Sequence, residues 1–407
     1  MAPLSSPLTR RRVLAGSAAV AGALAMPGLV RAQAPTVKVG LIHPMSGFVA
    51  FNGQQCRTGC MMAIEEVNAS GGIKALGGAK LEPLLGDSQS KVEIGVSEVE
   101  KMNEAGVAAY IGPFQSAVAL SATQAAAKYG IPFLIDVAAS DLVTSRGLTN
   151  VFRLKPGFGK CVDQGLTTLG RINDQAGKPA KTVVIVHESS EFGTGTAKLM
   201  AAKLPSVGLE VAEIIGHDNP TRNFDNIALK IRSLKPDIVS MSNYQNEYML
   251  LARTLVQQKI PLTGMYSILG GGFNYKFTRE MPDVAKYMMD YNHWFNPKSK
   301  KAQEIRKTIE ERKGLPTYEI FLSYNSVMLL VDALERAGST DKDKLTAALA
   351  STTWTPETVP YAPTRFVNGQ NEGGQAAGLQ AVEEGEIEVI YPEAFASAKP
   401  IFPKPKA

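Results

Sequence analysis

Short apolar runs and longer amphipathic stretches alternate along the chain in a regular order. The first run, Val37–Ile42, is rich in β-branched residues and predicts a strand, and the pattern after it predicts a helix from about Gly53 to Asn68. The same order follows with a strand over Leu81–Leu85 and a helix over Val92–Asn103. Because each helix is long enough to return the chain to the same edge, the pattern predicts a parallel sheet with right-handed crossovers.

The third strand of this series ends abruptly at Gly112-Pro113, and a helix over Ser116–Tyr129 follows at once, with Ser116 as the expected N-cap. The first N–H groups of a helix have no partner within it, so an anion or a polar ligand can accept them. A second apolar run, Ile131–Ile135, ends in the small residues of 136–141. Two neighbouring strand ends of this kind predict the rim of a cleft at the carboxyl edge of a parallel sheet.

The same rhythm restarts after residue 156 and predicts a second half of similar construction. Its strands are expected at Thr182–His187, Glu210–Ile215, Asp237–Met241 and Leu262–Leu269, and its helices at Gly193–Ser206, Phe224–Leu234 and Glu247–Gln258. Two further helices, Tyr318–Ala337 and Lys342–Ala350, precede hairpin strands between Arg365 and Ile390. The expected fold class is therefore α/β, with two doubly wound parallel-sheet lobes.

We expect the chain to pass between these lobes near residues 154, 290 and 363, which gives a hinge of three segments. The first lobe then comprises 36–153 with 291–362, the second comprises 155–288 with 364–400, and the ligand cleft lies between them.

Residues 1–34 have the pattern of an exported leader. They contain four arginines and no acidic residue, and Arg10–Arg12 precede a weakly apolar run from Leu14 to Val30. This pattern predicts a signal peptide of the twin-arginine type, cleaved near Ala32–Ala34, and a periplasmic location. The run is too short, and too diluted with Gly and Pro, for a transmembrane helix.

The leader holds four of the 43 basic residues, so the rest of the chain nearly balances its 38 acidic residues. This balance gives no reason to expect a nucleic-acid partner. Cys56 and Cys60 lie four residues apart on one predicted helix, where a disulfide has poor geometry, so buried thiols are expected. The four histidines are scattered, and neither a metal nor a cofactor is expected.

Motifs of catalysis are incomplete in this chain, and we do not expect an enzyme. The run Gly157–Lys160 resembles the end of a phosphate-binding loop but lacks its leading glycine, and Cys161 replaces the required Ser or Thr. Gly193-Thr194-Gly195 follows a predicted strand but lacks the third glycine of a dinucleotide-binding fingerprint. Neither the Gly-x-Ser-x-Gly nor the His-Glu-x-x-His pattern occurs.

A family resemblance rests on several short motifs taken in order: Met45-Ser46-Gly47, Ile64 to Ile73, Ile111-Gly112-Pro113, Gly130-Ile131-Pro132 and Glu191-Phe192-Gly193. Their order and spacing resemble the solute-binding proteins of ABC importers, and in particular the branched-chain amino-acid-binding branch with the type I fold. The resemblance implies a monomeric periplasmic receptor that captures a small-molecule solute by lobe closure. It also implies delivery of that solute to permease and ATPase subunits at the membrane.

The resemblance also implies where the ligand binds. It places the ligand carboxylate on the loop 114–116 and the turn 138–140, with aromatic walls from both lobes. The implied ligand-binding residues are Phe51, Phe114, Gln115, Ser116, Ala138, Ala139, Ser140, Phe192, Tyr244 and Leu269.

One departure from the family pattern bears on the ligand. Amino-acid-binding members carry an acidic residue near 267–271 for the ligand ammonium, and this chain has Ile268-Leu269-Gly270. An ammonium buried without a carboxylate would lose several kcal/mol, which favours an aromatic or apolar carboxylate as ligand. Asp136 and Glu319 would replace the missing group if they faced the cleft. A branched-chain amino acid or an amide remains the alternative ligand, and a sensor that feeds a regulator remains the alternative class of function.

Overall fold

A computed structural model describes residues 35–405, and its strands form two seven-stranded sheets. In chain order the strands are β1 (Thr36–His43), β2 (Lys80–Asp87), β3 (Ala109–Ile111), β4 (Phe133–Ile135), β5 (Val151–Arg153), β6 (Thr182–Glu188), β7 (Glu210–His217), β8 (Ile238–Ser242), β9 (Gly264–Ile268), β10 (Met289–Asn292), β11 (Phe366–Val367), β12 (Gln370–Asn371), β13 (Ala377–Ala381) and β14 (Ile387–Tyr391).

Helices flank both sheets. They are α1 (Ala50–Ala69), α2 (Val92–Glu104), α3 (Ser116–Ala127), α4 (Leu142–Ser145), α5 (Phe158–Gln175), α6 (Glu191–Lys203), α7 (Asp225–Leu234), α8 (Gln245–Gln257), α9 (Tyr275–Glu280), α10 (Pro282–Ala285), α11 (Lys300–Glu311), α12 (Tyr318–Ala337) and α13 (Lys342–Ala350). Within residues 35–405 no helix combines the length and apolar character that a membrane crossing needs. The predicted signal peptide, 1–34, lies outside the described residues.

The sheet topology confirms the predicted fold class. The first sheet has the order β11-β12-β5-β4-β3-β1-β2 and the second the order β14-β13-β10-β9-β8-β6-β7. In each lobe the order reverses at the first strand of the half, between β1 and β3 and between β6 and β8. Ligands of open parallel sheets bind beyond the carboxyl ends of the strands at such reversals. The two reversal points therefore mark where a shared site can form.

The described chain crosses between the lobes in three places, and the third crossing differs from the prediction. β10 pairs with β9 in the second sheet, and the chain then returns to pack α12 against α1. The hairpin β11–β12 was predicted to belong to the second lobe, but Gln370 pairs with Arg153 in the first sheet. The Gln370 side chain also accepts a hydrogen bond from Arg153 Nε at 2.7 Å, which fixes the hairpin in the first lobe. The third crossing thus follows residue 371.

Close packing of α12 on α1 explains one glycine in the predicted helix. A Cβ atom at Gly59 would lie 2.1 Å from the carbonyl oxygen of Ile320, so only glycine lets the two helices approach this closely. Cys60 lies in the same contact, and its thiol faces the carbonyl of Ser323. Cys56 and Cys60 are buried and free, as the sequence predicted, and Cys161 is buried and free as well.

Candidate ligand site between the lobes

A cavity lies between the lobes at the carboxyl ends of both sheets. Six of the predicted site residues line it: Phe114, Ser116, Ala139, Phe192, Tyr244 and Leu269. Five further lining residues were not predicted: Val137, Gly271, Asn292, His293 and Tyr318. The structure therefore brings together groups from the ends of β4, β9 and β10 and from the starts of α3, α6 and α12.

An aromatic cluster from both lobes fills most of the cleft. The ring of Tyr244 lies 5.0 Å from that of Phe192, 5.8 Å from that of Phe114 and 5.9 Å from that of Phe48, measured between centroids. The cavity left beside these rings is about 30 Å³, which is room for water only. An organic solute can therefore occupy the cleft only when the rings or the lobes move apart.

Ser116 contributes a hydroxyl group to the cavity, but not as the predicted N-cap. Helix α3 begins at Ser116 itself, and Gln115 is the N-cap residue. The Ser116 Oγ accepts the N–H groups of Ala139 and Ser140, each at 3.2 Å. Since a hydroxyl oxygen has two lone pairs, both are used, and the proton of Ser116 is left to donate. The first hydrogen bond of the helix starts at Ala119 N, so the earlier N–H groups have no helical acceptor.

The turn 138–140 supports the site rather than presenting free N–H groups. Ala138 donates its N–H to the Pro113 carbonyl at 3.2 Å. Ser140 donates its hydroxyl proton to Glu191 Oε1 at 2.6 Å and so bridges the two lobes. Arg153, almost fully buried, donates to the Ser140 carbonyl at 2.6 Å and holds the turn from behind. Neither Ala138 nor Ser140 is part of the cavity lining.

Two other predicted site residues lie outside the cavity lining. Gln115 is buried, and its Oε1 has no hydrogen-bond partner among the described residues. Phe51 lies half-buried, with the ammonium of Lys276 5.3 Å from its ring centroid. Because Lys276 belongs to the second lobe, this contact joins the lobes away from the cavity.

Asp136 is committed to a buried hydrogen-bond network in the first lobe. Its Oδ2 accepts from His43 Nε2 at 2.8 Å and from the Ser323 hydroxyl at 2.7 Å. Ligand atoms of His43, Cys60 and Asp136 lie within 4.8 Å of one another, a spacing that a metal ion could bridge. However, Arg57 Nε donates to His43 Nδ1 at 3.4 Å, which leaves the imidazole proton on Nε2 and its lone pair unavailable. The geometry therefore favours a hydrogen-bonded network over a metal site.

Glu319 is likewise directed into the first lobe. Its Oε1 accepts from the Asn52 side-chain amide at 2.6 Å, and both residues are buried. Burial raises the pKa of the Glu319 carboxyl, against the hydrogen bonds that lower it. Among the described residues, the cavity lining contains no Asp, Glu, Lys or Arg side chain.

Leu269 lies in the segment 267–271, where the resemblance implies an acidic residue in amino-acid-binding members. It adopts a left-handed backbone conformation with φ of 56°, which is uncommon for a residue with a bulky side chain. Its N–H donates to the Tyr291 carbonyl at 3.0 Å, and this bond to the end of β10 holds the conformation. The cavity therefore receives an apolar side chain at this position.

The polar floor of the cavity comes from the end of β10. Asn292 is satisfied within the protein, since its amide donates to the Gly270 carbonyl at 3.1 Å and its Oδ1 accepts the His293 N–H at 2.8 Å. Both ring nitrogens of His293 lack partners among the described residues. Burial, followed by the charges of Lys155 and Arg153, lowers the pKa of His293 well below its usual range. The predicted crossing near residue 290 is the sequence feature closest to His293, and it does not mark the side chain itself.

The family model described as periplasmic binding protein matches residues 36–386. The chain belongs to this family. Members of the periplasmic binding protein family are solute-binding receptors, and the two lobes with a shared cleft agree with that assignment. The predicted resemblance is thereby confirmed.

Relatives within the family cover nearly the whole chain. Leu/Ile/Val-binding protein homolog 7 of Brucella suis is 25% identical over 394 residues, which is 92% of this chain and 96% of the relative. Leu/Ile/Val-binding protein homolog 8 of Brucella abortus is 27% identical and covers 90% of this chain and 93% of its own length.

Solved structures show the same fold. A leucine-binding protein of Thermotoga maritima superposes with a TM-score of 0.76 at 21% identity, over 87% of this chain and 97% of that one. A solute-binding protein of an ABC transporter from R. palustris, solved in complex with benzoate, gives a TM-score of 0.75 at 19% identity, over 89% and 98%.

Proposed function

We propose that this protein is the extracytoplasmic receptor of an ABC importer and that it captures a small organic acid with an aromatic or apolar body. The observation that carries this proposal is the chemistry of the cavity. Its lining is aromatic and aliphatic with a few uncharged polar groups, and it holds no carboxylate among the described residues. The ten residues implied by the family resemblance remain proposed ligand contacts, and Phe114, Ser116, Phe192 and Tyr244 have the strongest geometric support.

The cavity lining has no charged side chain among the described residues, and this favours a simple acid over a zwitterion as the ligand. A carboxylate could accept the Ser116 hydroxyl and the first N–H groups of α3, which are strong hydrogen bonds because the acceptor is charged. The ammonium of an amino acid would meet no opposite charge, at a cost of several kcal/mol. The benzoate named for the R. palustris protein is consistent with this choice of ligand class.

The names of the relatives favour a second candidate, a branched-chain amino acid. A sensor of the same ligand that reports to a regulator is the alternative from another class. Loss of uptake of the labelled acid in cells that lack this protein would support the importer. Normal uptake with an altered transcriptional response would support the sensor.

The ligand class is tested by thermal unfolding of the exported protein with benzoate, phenylacetate, leucine, valine and benzamide. A ligand at 100 times its Kd adds about 2.7 kcal/mol to the free energy of unfolding, so the correct class gives a clear rise in Tm. We expect a rise with the two acids. Stabilisation by leucine and by neither acid would reverse the proposal.

Substitution of Ser116 tests the carboxylate contact. We expect Ser116→Ala to weaken binding of the acid about 10-fold to 100-fold, because a hydrogen bond to a charged group is worth roughly 1.5–3 kcal/mol. Ser116→Thr keeps the hydroxyl and should restore most of the affinity, which isothermal titration calorimetry measures. The matched control is Ser240→Ala, a buried serine of β8 that lies outside the cavity lining. Unchanged affinity in Ser116→Ala would place the carboxylate elsewhere.

A further inference from the structure

His293 is a buried side chain with unused hydrogen-bonding capacity in the cavity. Only 2% of the residue is exposed, and neither Nδ1 nor Nε2 has a partner among the described residues. Its ring lies 6.2 Å from that of Tyr318, and both residues line the cavity. Unpaired polar atoms are uncommon in protein interiors because leaving them without a partner costs free energy. A ligand that pairs with the imidazole would remove this cost.

We infer that His293 is a second polar contact of the cleft and that the ligand is an aromatic acid with a hydroxyl group remote from its carboxylate. This inference depends on the proposed function and narrows its ligand. A neutral imidazole has one donor and one acceptor nitrogen. A hydroxyl group can both donate and accept, so it pairs with either nitrogen, whereas an ether or carbonyl oxygen pairs with the N–H alone.

The charges around His293 favour a hydroxyl over a second carboxylate. The cations whose charges act on His293 are Lys155 and Arg153, and neither lines the cavity. Arg153 is engaged by the Ser140 carbonyl at 2.6 Å and by Asp141 Oδ1 at 3.3 Å. Lys155 is buried and donates to the Pro156 carbonyl at 3.3 Å, and burial lowers its pKa well below the usual range. The polar group that faces the ligand is therefore the uncharged imidazole.

The two polar contacts come from different elements of the chain. Ser116 starts α3 of the first lobe, and His293 follows β10 of the second sheet. A hydroxy acid would bind both at once, with its ring against Phe192 and Tyr244. An acid without the hydroxyl would leave His293 unpaired.

The test is calorimetric titration of the full exported protein with 4-hydroxybenzoate, 3-hydroxybenzoate, benzoate and terephthalate. We expect at least one hydroxy acid to bind about 10-fold to 100-fold more tightly than benzoate, which is the range for one buried hydrogen bond. In His293→Phe this preference should disappear, so that the hydroxy acids bind no more tightly than benzoate. His293→Asn retains a donor and an acceptor and should keep part of the preference.

The outcomes separate the inference from the proposed function. Equal affinity for benzoate and both hydroxy acids in the unmodified protein would overturn the inference and leave the proposed function intact. If terephthalate bound most tightly of the four acids, the inference that His293 contacts an uncharged hydroxyl group would be wrong. Binding of leucine with no binding of any acid would overturn the proposed function itself. His187→Phe, outside the cavity lining, is the control for His-to-Phe exchange. If His293→Phe does not fold, the affinities of the unmodified protein and of His293→Asn for the four acids test the inference instead.

Discussion

Asp290 shows how burial in this fold changes acid–base behaviour. The side chain lies at the end of the second lobe's β10, accepting from Gly270 N–H at 3.3 Å and from the Asn292 amide at 3.2 Å. Burial outweighs these two hydrogen bonds and raises the pKa of Asp290 to about 8. The native protein therefore holds a proton on Asp290 at pH values where the unfolded chain has released it. Stability should fall as the pH rises from about 4 to about 8 and level off above.

Replacement of Asp290 by Asn should remove this loss of stability at higher pH. We expect Asp290→Asn to match the unmodified protein at about pH 4 and to exceed its free energy of unfolding by about 2 kcal/mol or more at pH 8.5, since each pKa unit corresponds to about 1.4 kcal/mol. Urea unfolding at the two pH values measures the difference. Asp283→Asn, at an exposed position of α10, should leave the pH dependence unchanged. An equal loss of stability at pH 8.5 in Asp290→Asn would contradict the assignment.

Individual residues also show what the sequence could and could not reveal. Ser116 was predicted in the ligand site from a strand end followed by a helix, and it lines the cavity, but its hydroxyl binds the turn 138–140 instead of capping its own helix. That bond joins two distant loops, and no local pattern encodes it. His293 escaped prediction because its significance is a lack of partners, which only the packed structure displays.

The start of α6 links the lobes through its first turn. Glu188, at the end of β6, accepts the Gly193 N–H at 2.6 Å and the Ser190 N–H at 2.7 Å, which fixes the entry into the helix. Glu191 is thereby directed toward the first lobe, where it accepts the Ser140 hydroxyl at 2.6 Å. This contact forms between the lobes and stabilises the closed arrangement seen here.

Loss of this contact should favour the open cleft and so strengthen ligand binding. We expect Glu191→Ala to lower Kd about 3-fold to 10-fold, because one hydrogen bond worth about 1 kcal/mol no longer favours the closed arrangement over the open cleft that admits the ligand. Calorimetric titration measures Kd, and the Tm without ligand should change little. Glu210→Ala, exposed at the start of β7, is the control. The same Kd in both variants would show that the contact does not contribute to closure.

Helices were predictable from the sequence where apolar residues recur with the helical period. The helices over Val92–Asn103 and Tyr318–Ala337 were expected within a residue or so of their observed limits, because their apolar positions recur at helical spacing. The hairpin at 366–371 was predicted with the correct type but in the wrong lobe. Its placement depends on Asn371 and Gln370, whose side chains donate to the carbonyls of Leu154 and Lys155. Such long-range polar contacts have no periodic pattern in the sequence.

Several contacts join the two lobes around the cleft and must change together when a solute binds. Asn246 donates its amide to the Phe48 carbonyl at 3.3 Å, and the rings of Phe48 and Tyr244 lie 5.9 Å apart. Lys276 faces the ring of Phe51 on the same side of the interface. With only about 30 Å³ free beside the aromatic cluster, opening must precede binding of an organic acid. The three chain crossings let this opening occur as a rigid rotation of the lobes.

Opening before binding has a kinetic signature. We expect the observed rate of binding to approach a plateau as the acid concentration rises, because the opening step then limits the reaction. Stopped-flow fluorescence can follow it, since Trp294 directly follows the cavity residue His293 in the chain. Phe48→Ala removes one ring contact between the lobes and should raise the plateau. A rate that increases linearly with concentration to the diffusion limit would contradict a required opening.

The three buried cysteines have a practical consequence for chemical modification. Burial raises the pKa of each thiol, so none presents a reactive thiolate at neutral pH. A single cysteine introduced at the rim of the cleft would then be the preferred target of a maleimide dye, without prior removal of the native ones. The molecule is thus suited to conversion into a fluorescent biosensor whose emission reports the concentration of its solute.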